Sequence, residues 1–205
     1  MSASHPRAPR SLTALNRRIA MAKPMVMGGT KAVLGEGPLH AAIALVGEQP
    51  GEQEDVQGKP FVGPAGRLLD RALQEAGIDR AKVYVTNAVK HFKFEARGKK
   101  RLHSKPTNAE VKRYRWWLEK ELDLVQPKLV VAMGATATLA LVGQPLPVMR
   151  NRGPHELGGR PGYITVHPSS LLRTPDDEAR REGFRAFVAD LKAAKKLATA
   201  HRKAA

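Results

Sequence analysis

The sequence predicts an α/β fold, a three-layer α/β/α arrangement around a central, mainly parallel four-stranded sheet. Three observations predict it. Four short β-branched or aliphatic runs recur along the chain, helical periodicities lie between them, and each run ends in a polar, Gly-rich or His-containing loop. Strands that alternate with helices imply βαβ crossovers, which place helices on both faces of a parallel sheet. In such a sheet, ligands bind in the crevice outside the carboxyl ends of the strands, so four such loops make one site.

Residues 1–28 carry Pro6, Pro9, Pro24 and several Arg, with no acid before Glu36. They read as a basic, partly disordered arm with a short helix over 12–20. The domain spans 29–192, its core beginning near Thr30. The first strand is Ile43-Ala44-Leu45-Val46, followed by Gly47-Glu48-Gln49-Pro50-Gly51. Over 63–76, Leu68, Leu69, Ala72, Leu73 and Ala76 fall at helical spacing. The second strand, Val83-Tyr84-Val85-Thr86, runs into Asn87-Ala88-Val89-Lys90. Asn108 is an N-cap candidate for a helix to about Val125, which Pro127 ends. The third strand is Leu129-Val130-Val131-Ala132-Met133, followed by Gly134-Ala135-Thr136 and a short apolar helix over 135–141. The fourth, Tyr163-Ile164-Thr165-Val166, opens the loop His167-Pro168-Ser169-Ser170-Leu171-Leu172-Arg173. A last helix, capped by Asp176 or Asp177 and striped with Phe184, Phe187, Val188 and Leu191, leads into a basic tail over 193–205. The chain has no internal repeat.

In 205 residues, 35 Lys and Arg face 19 acids, a net charge of +16. That length suits a single α/β domain. The charge points to a polyanionic partner, because Lys and Arg bound to phosphates release counterions. A merely soluble basic protein is the alternative, but the excess is unevenly placed. Residues 90–115 hold ten basic side chains, including Lys90, Lys93, Lys99, Lys100 and Arg101, opposed only by Glu95 and Glu110. No apolar run approaches the ~18–20 residues of a membrane span. No secretory signal is evident, so the expectation is a soluble cytoplasmic protein, monomeric and without membrane contact. The absence of cysteine excludes disulfides and thiol chemistry.

Four stretches together carry a resemblance: GEQPGEQEDVQGKPFVGPAGRLLDRAL from Gly47 to Leu73, VTNAVKHFKF from Val85, GKKRLH from Gly98 and HPSSLLR from His167. Their order and spacing resemble the uracil-DNA glycosylase superfamily, most closely the X-type group related to family 4, which traps its DNA covalently. The resemblance covers roughly residues 30–192. It implies a bacterial enzyme that excises uracil from single- or double-stranded DNA, sitting on the nucleoid when bound.

An enzyme acting on a base in DNA extrudes it into a pocket. Phe61, in a Gly/Pro-bracketed loop, would stack on the flipped base; alone it would read as a core residue. Asn87 offers a donor and an acceptor to the uracil edge; alone it would read as a turn residue. His167 would stabilise the departing uracil anion by the logic of an oxyanion hole. The carboxylates of Glu48 or Asp55 would stabilise the sugar cation or orient a nucleophile, and Gln49 would hold a water or the sugar-phosphate. Glu52 and Glu54 read as an exposed acidic loop. Ser169, Ser170 and Gly134 suit phosphate contacts. Leu171, Leu172 and Arg173 resemble a wedge that fills the gap left by the flipped nucleotide, with one leucine expected to pack in the core.

The segment Lys99-Lys100-Arg101-Leu102-His103 differs mildly from the usual X-type KRRIH. The resemblance implies that His103 attacks the anomeric carbon and stays attached; a solvated basic loop with an incidental His is the alternative. Two other readings stay open: a hydrolytic glycosylase that turns over, and a non-catalytic DNA-binding module. Family 4 and X-type proteins usually hold an iron–sulfur cluster through cysteines. The matching positions are approximately Ala20, Lys23, His91 and Tyr114, of which only His91 could ligate. The expectation is therefore no metal and no cofactor, with Tyr114 and Trp116 filling the volume.

Overall fold

The computed structural model describes residues 9–200. In chain order its elements are α1 (Leu12–Met21), β1 (Ile43–Gly47), α2 (Glu52–Gln57), α3 (Pro64–Glu75), β2 (Tyr84–Asn87), β3 (Phe94–Arg97), β4 (Lys100–His103), α4 (Asn108–Val125), β5 (Leu129–Met133), α5 (Ala135–Val142), β6 (Gly153–Leu157), β7 (Arg160–Thr165), α6 (Pro168–Leu172) and α7 (Asp177–Ala200).

The main sheet has the order β2-β1-β5-β7-β6. Its first four strands are parallel and are the four the apolar runs predict. Alternation along each strand feeds two cores. Ile43, Leu45, Val131, Met133 and Tyr163 pack with Leu69 and Leu73 of α3 and Phe187 and Leu191 of α7. Ala44, Val46, Val130, Ala132 and Ile164 pack with Val111, Leu118 and Leu122 of α4 and with α5. This makes the three layers. α5 is apolar on all sides because it is buried on all sides.

The sheet has five strands rather than four. β6 pairs antiparallel with β7 through a two-residue loop, Gly158-Gly159, in which both residues have positive φ (61° and 75°). That is the geometry of a tight type I′ hairpin, and it favours glycine. Pro154 sits in β6 because an edge strand tolerates a missing N–H.

The predicted helix over 12–20 is α1, capped by the Ser11 hydroxyl accepting from Ala14 N–H. It does not stand off as an arm, since Leu15 and Ile19 are fully buried and α1 packs on α4. The last helix continues past 192 to Ala200, burying Ala194 and Ala198. The remaining tail cations, Arg202 and Lys203, lie outside the described residues, as do residues 1–8 with Pro6. Thr107, not Asn108, caps α4; its hydroxyl accepts from Glu110 N–H while the Glu110 carboxylate accepts from Thr107 N–H. No helix among the described residues is long and apolar enough to cross a membrane.

Candidate active site

The carboxyl ends of β1, β2, β5 and β7 lie at one edge of the sheet, and the chain reverses its order between β1 and β5. That reversal opens the crevice in which such folds bind ligands. A cavity of about 400 Å³ lies there, lined by Glu48, Phe61, Asn87, His103 and His167 among others. Five residues from five separate stretches of sequence thus meet in one place.

Asn87 ends β2 and is only 3% exposed. Its loop is pinned to the loop after β1, with Ala88 N–H donating to Gly47 O (2.9 Å) and Val89 N–H to Glu48 O (3.0 Å). Phe61 has a left-handed backbone (φ 57°), uncommon for an aromatic residue. What holds it there is Gly66 of α3, where any Cβ would run into the Phe61 backbone. The Phe61 ring and the Asn87 amide meet over Gly47, where a Cβ would collide with both. Gly47 and Gly66 therefore shape the pocket. In the sequence Gly47 adjoins the expected site residue Glu48, whereas Gly66, between Ala65 and Arg67, carried no such signal.

The Phe61 and His167 rings lie 6.2 Å apart between centroids, tilted by 34°. His167 Nδ1 accepts from Ser169 N–H (3.2 Å) and sits 2.7 Å from Ser169 Oγ. An accepting Nδ1 puts the proton of a neutral ring on Nε2. Nε2 is buried without a hydrogen-bond partner. Burial pushes the His167 pKa down to about 4; Glu48 opposes that shift, while Arg173 and His103 add to it. The site thus presents a neutral donor that no protein group engages.

Glu48 joins the two halves of the site. Its Oε2 accepts from Thr136 Oγ1 (2.5 Å) and its Oε1 lies 3.4 Å from His103 Nε2. Burial alone would raise its pKa. The hydrogen bonds from His103 and Thr136, and the nearby His167, outweigh this and hold the carboxyl below its ordinary value. Thr136, buried in the first turn of α5, was not expected in the site. Its position directly after the third strand's glycine was the available clue.

His103 ends β4, and its side chain is 49% exposed. Residues 94–103 form a hairpin rather than a flexible loop. The hairpin is anchored at its base by Gln49, whose amide donates to Lys93 O (3.2 Å) and Ser104 O (3.1 Å) and accepts from Lys93 N–H (3.1 Å). Both amide donors of Gln49 are therefore committed to the hairpin, although the residue also lines the cavity and its Oε1 accepts only once. Asp55 is likewise engaged: its Oδ2 accepts from Arg101 (2.5 Å), which also binds Glu52 (3.1 Å) and lies over the Phe92 and Phe94 rings. Asp55 and Arg101 hold the hairpin and do not line the cavity. Glu54, expected to be exposed, is buried and accepts from Gly51 N–H (3.0 Å) and Gly63 N–H (2.7 Å). Lys99 and Lys100 are exposed at the hairpin turn, away from the cavity.

Gly134 N–H is taken by Thr165 O (2.8 Å), and Ser170 Oγ by His167 O (2.7 Å), so neither group is free for a phosphate. Ser169 and Arg173 line the cavity, with Arg173 donating to Ser169 Oγ (3.2 Å). Leu171 packs in the core at 7% exposure, whereas Leu172 stands at the cavity mouth at 43%. A wedge at this position would be Leu172 and not Leu171. Lys90 does not face a polyanion either. It is fully buried, paired with Glu121 (2.5 Å), and donates to Thr86 Oγ1 (2.6 Å) and to the backbone carbonyl of Asn87 (2.9 Å). Lys93 pairs with Glu110 (2.8 Å).

The four positions matched to cluster ligands do not fit an iron–sulfur centre. Ala20 and Lys23 are exposed. The Tyr114 hydroxyl receives Met25 N–H (2.9 Å) and bonds His91 Nδ1 (2.7 Å), so the two buried positions are tied to each other. Burial chiefly, with Glu110, pushes the Tyr114 phenol up to about 12, and burial lowers the His91 pKa. Neither supplies a thiolate or other anionic donor. Trp116 is only half-buried and packs edge-on to Trp117 (4.8 Å), so Tyr114 with His91 fills this volume. Among the described residues no group of His, Asp or Glu is arranged to hold a metal ion.

The comparisons with known proteins agree with this geometry. The family model "Uracil DNA glycosylase superfamily" matches residues 34–192. The type-4 uracil-DNA glycosylase of Thermotoga maritima is 40% identical over 161 residues, 77% of this chain and 80% of that protein. That of Pyrobaculum aerophilum is 33% identical, covering 70% of this chain and 74% of its own. A type-5 uracil-DNA glycosylase of the same organism is 30% identical, covering 66% and 64%. The match takes in every strand of the main sheet and the loops that line the cavity, and the chain belongs to the uracil-DNA glycosylase superfamily.

Proposed function

We propose that the protein excises uracil from DNA and captures the resulting sugar on His103, with no metal or cofactor. The observation that carries this reading is the meeting of Glu48, His103 and the unpartnered Nε2 of His167 at one cavity. A flipped uracil would stack on Phe61, and Asn87 would pair with its edge. As the N-glycosidic bond breaks, its electron pair leaves with uracil, and His167 Nε2–H stabilises the anion while Glu48 faces the sugar cation. The unprotonated nitrogen of His103 then donates its lone pair to C1′. The alkylated imidazole carries the positive charge, and Glu48 balances it. No water is consumed.

A second reading is hydrolysis with turnover, in which Glu48 orients water and His103 only assists; the exposure of the His103 side chain at the cavity favours it. Incubation with a uracil-containing oligonucleotide followed by a denaturing gel separates the two. The covalent reading expects a protein-sized shift of the strand. An alkali-labile abasic strand with no shift would replace it with the hydrolytic reading, and unchanged DNA would leave a binding module.

His167 acts here as a neutral donor, and its pKa lies near 4 rather than 6.5. Protonation at Nδ1 would cost the ring its bond from Ser169 N–H and so its orientation; uracil release should therefore hold its rate as pH falls to about 5 and decline only as the pH passes through about 4. Initial rates of uracil release by His103→Ala across that range check this; a loss centred near pH 6.5 in that variant would mean that His167 titrates normally and is not so buried. Protein purified aerobically should carry no stoichiometric iron and no visible absorption band. Iron at one cluster per chain would overturn the cofactor-free reading.

A further inference from the structure

A second cavity, of about 520 Å³, adjoins the first. Glu48, His103, His167, Ser169 and Arg173 line both and so form a partition between them. Its other side differs in kind: Ala135, Val148, Met149 and Val166 make it apolar, while Lys105 and Arg173 place cations along it. Met149 is 68% exposed on a short 3₁₀ turn, Val148–Arg150. A single exposed methionine needs no explanation. This one forms the outer side of an apolar slot that continues from the proposed base pocket.

We propose that this slot is a subsite for the nucleobase next to the target on the same strand, held against the Met149 thioether. The proposal rests on the uracil-excision reading of the first cavity. The base in that cavity is covalently tied to its neighbours, and the shared partition gives the strand a short path from one cavity to the other. Arg173, on the partition itself, and Lys105 beside it complement the phosphodiester that makes the crossing. An apolar slot offers a face rather than hydrogen bonds. Every base has an apolar face, and thioether sulfur packs well on aromatic rings. The subsite should therefore require a base but tolerate any of the four.

The test is a coupling measurement. Wild type and Met149→Ala are titrated with single-stranded oligonucleotides containing 2′-fluoro-2′-deoxyuridine, whose fluorine destabilises the sugar cation and blocks excision. Each oligonucleotide has either all its bases or a tetrahydrofuran residue immediately 5′ or 3′ of the target. Wild type should lose ~5- to 150-fold in affinity when one of the two flanking bases is missing, the range expected for one stacked base. Met149→Ala should lose a similar factor on the complete strand and little more on that abasic strand, because the two changes remove one interaction. Equal wild-type affinity for all three strands, or losses that simply multiply, would overturn the subsite and leave only backbone there. A parallel assay of uracil release separates the two failures. Release without coupling overturns the subsite alone, whereas no release overturns the base pocket and the subsite with it.

Discussion

His167→Ala should slow uracil release by about 10²- to 10³-fold, the usual loss when one preorganised donor to a developing anion is removed. The size follows from the state of the ring. His167 is neutral, its Nδ1 accepts from Ser169 N–H, and no protein group accepts from its buried Nε2. It therefore breaks no bond within the protein when it turns to uracil, and its interaction grows as negative charge reaches the base. Such an interaction, stronger in the transition state than in the ground state, lowers the barrier. The loss should fall on the single-turnover rate of uracil release and leave affinity for the 2′-fluoro strand nearly unchanged. A loss below tenfold would remove His167 from the chemistry.

His103→Ala should abolish the denaturant-resistant complex while uracil release continues. His103 lies at the mouth of the cavity with its side chain half exposed, so its loss should leave the fold intact. Bond breaking is assigned to groups deeper in the site, and His103 enters when the cation needs capture. Its advantage over water is position. The hairpin is held to β1 by Gln49 and to α2 by Arg101, with Asp55 and Glu52 accepting. A group delivered in this way has a high effective concentration, worth several kcal/mol. With His103 removed, water should enter and leave an abasic strand that alkali cleaves. If His103→Ala still gave a heat-stable complex, the nucleophile would be another residue.

Three of the residues that line the cavity, Glu48, Asn87 and His167, were legible because each follows an apolar run, whereas Phe61 follows none. Strands buried on both faces read as continuous hydrophobic stretches, and their carboxyl ends fix where Glu48, Asn87 and His167 must converge. Other features were illegible for physical reasons. β6 is an edge strand containing Pro154 and Glu156, so it lacks the apolar continuity of a central strand. The only hint was the Gly-Gly pair that turns it into β7. β3 and β4 pair only with each other and stay half in solvent, which lets them be built from charged residues that read as a loop. The roles of Gln49, Asp55 and Lys90 depend on partners 31 to 55 residues away. Nothing local distinguishes a lysine facing DNA from one buried against Glu121. Leu171 and Leu172 were separable only once the helical turn showed which one faces the core.

The number of uracils released per protein molecule separates capture on His103 from turnover. With substrate in excess and the active fraction titrated, covalent capture gives a burst of one uracil per molecule and then no further release, because the imidazole–sugar bond has no ready leaving route. Continued release, many uracils per molecule at a steady rate, would contradict it and make the protein a conventional glycosylase.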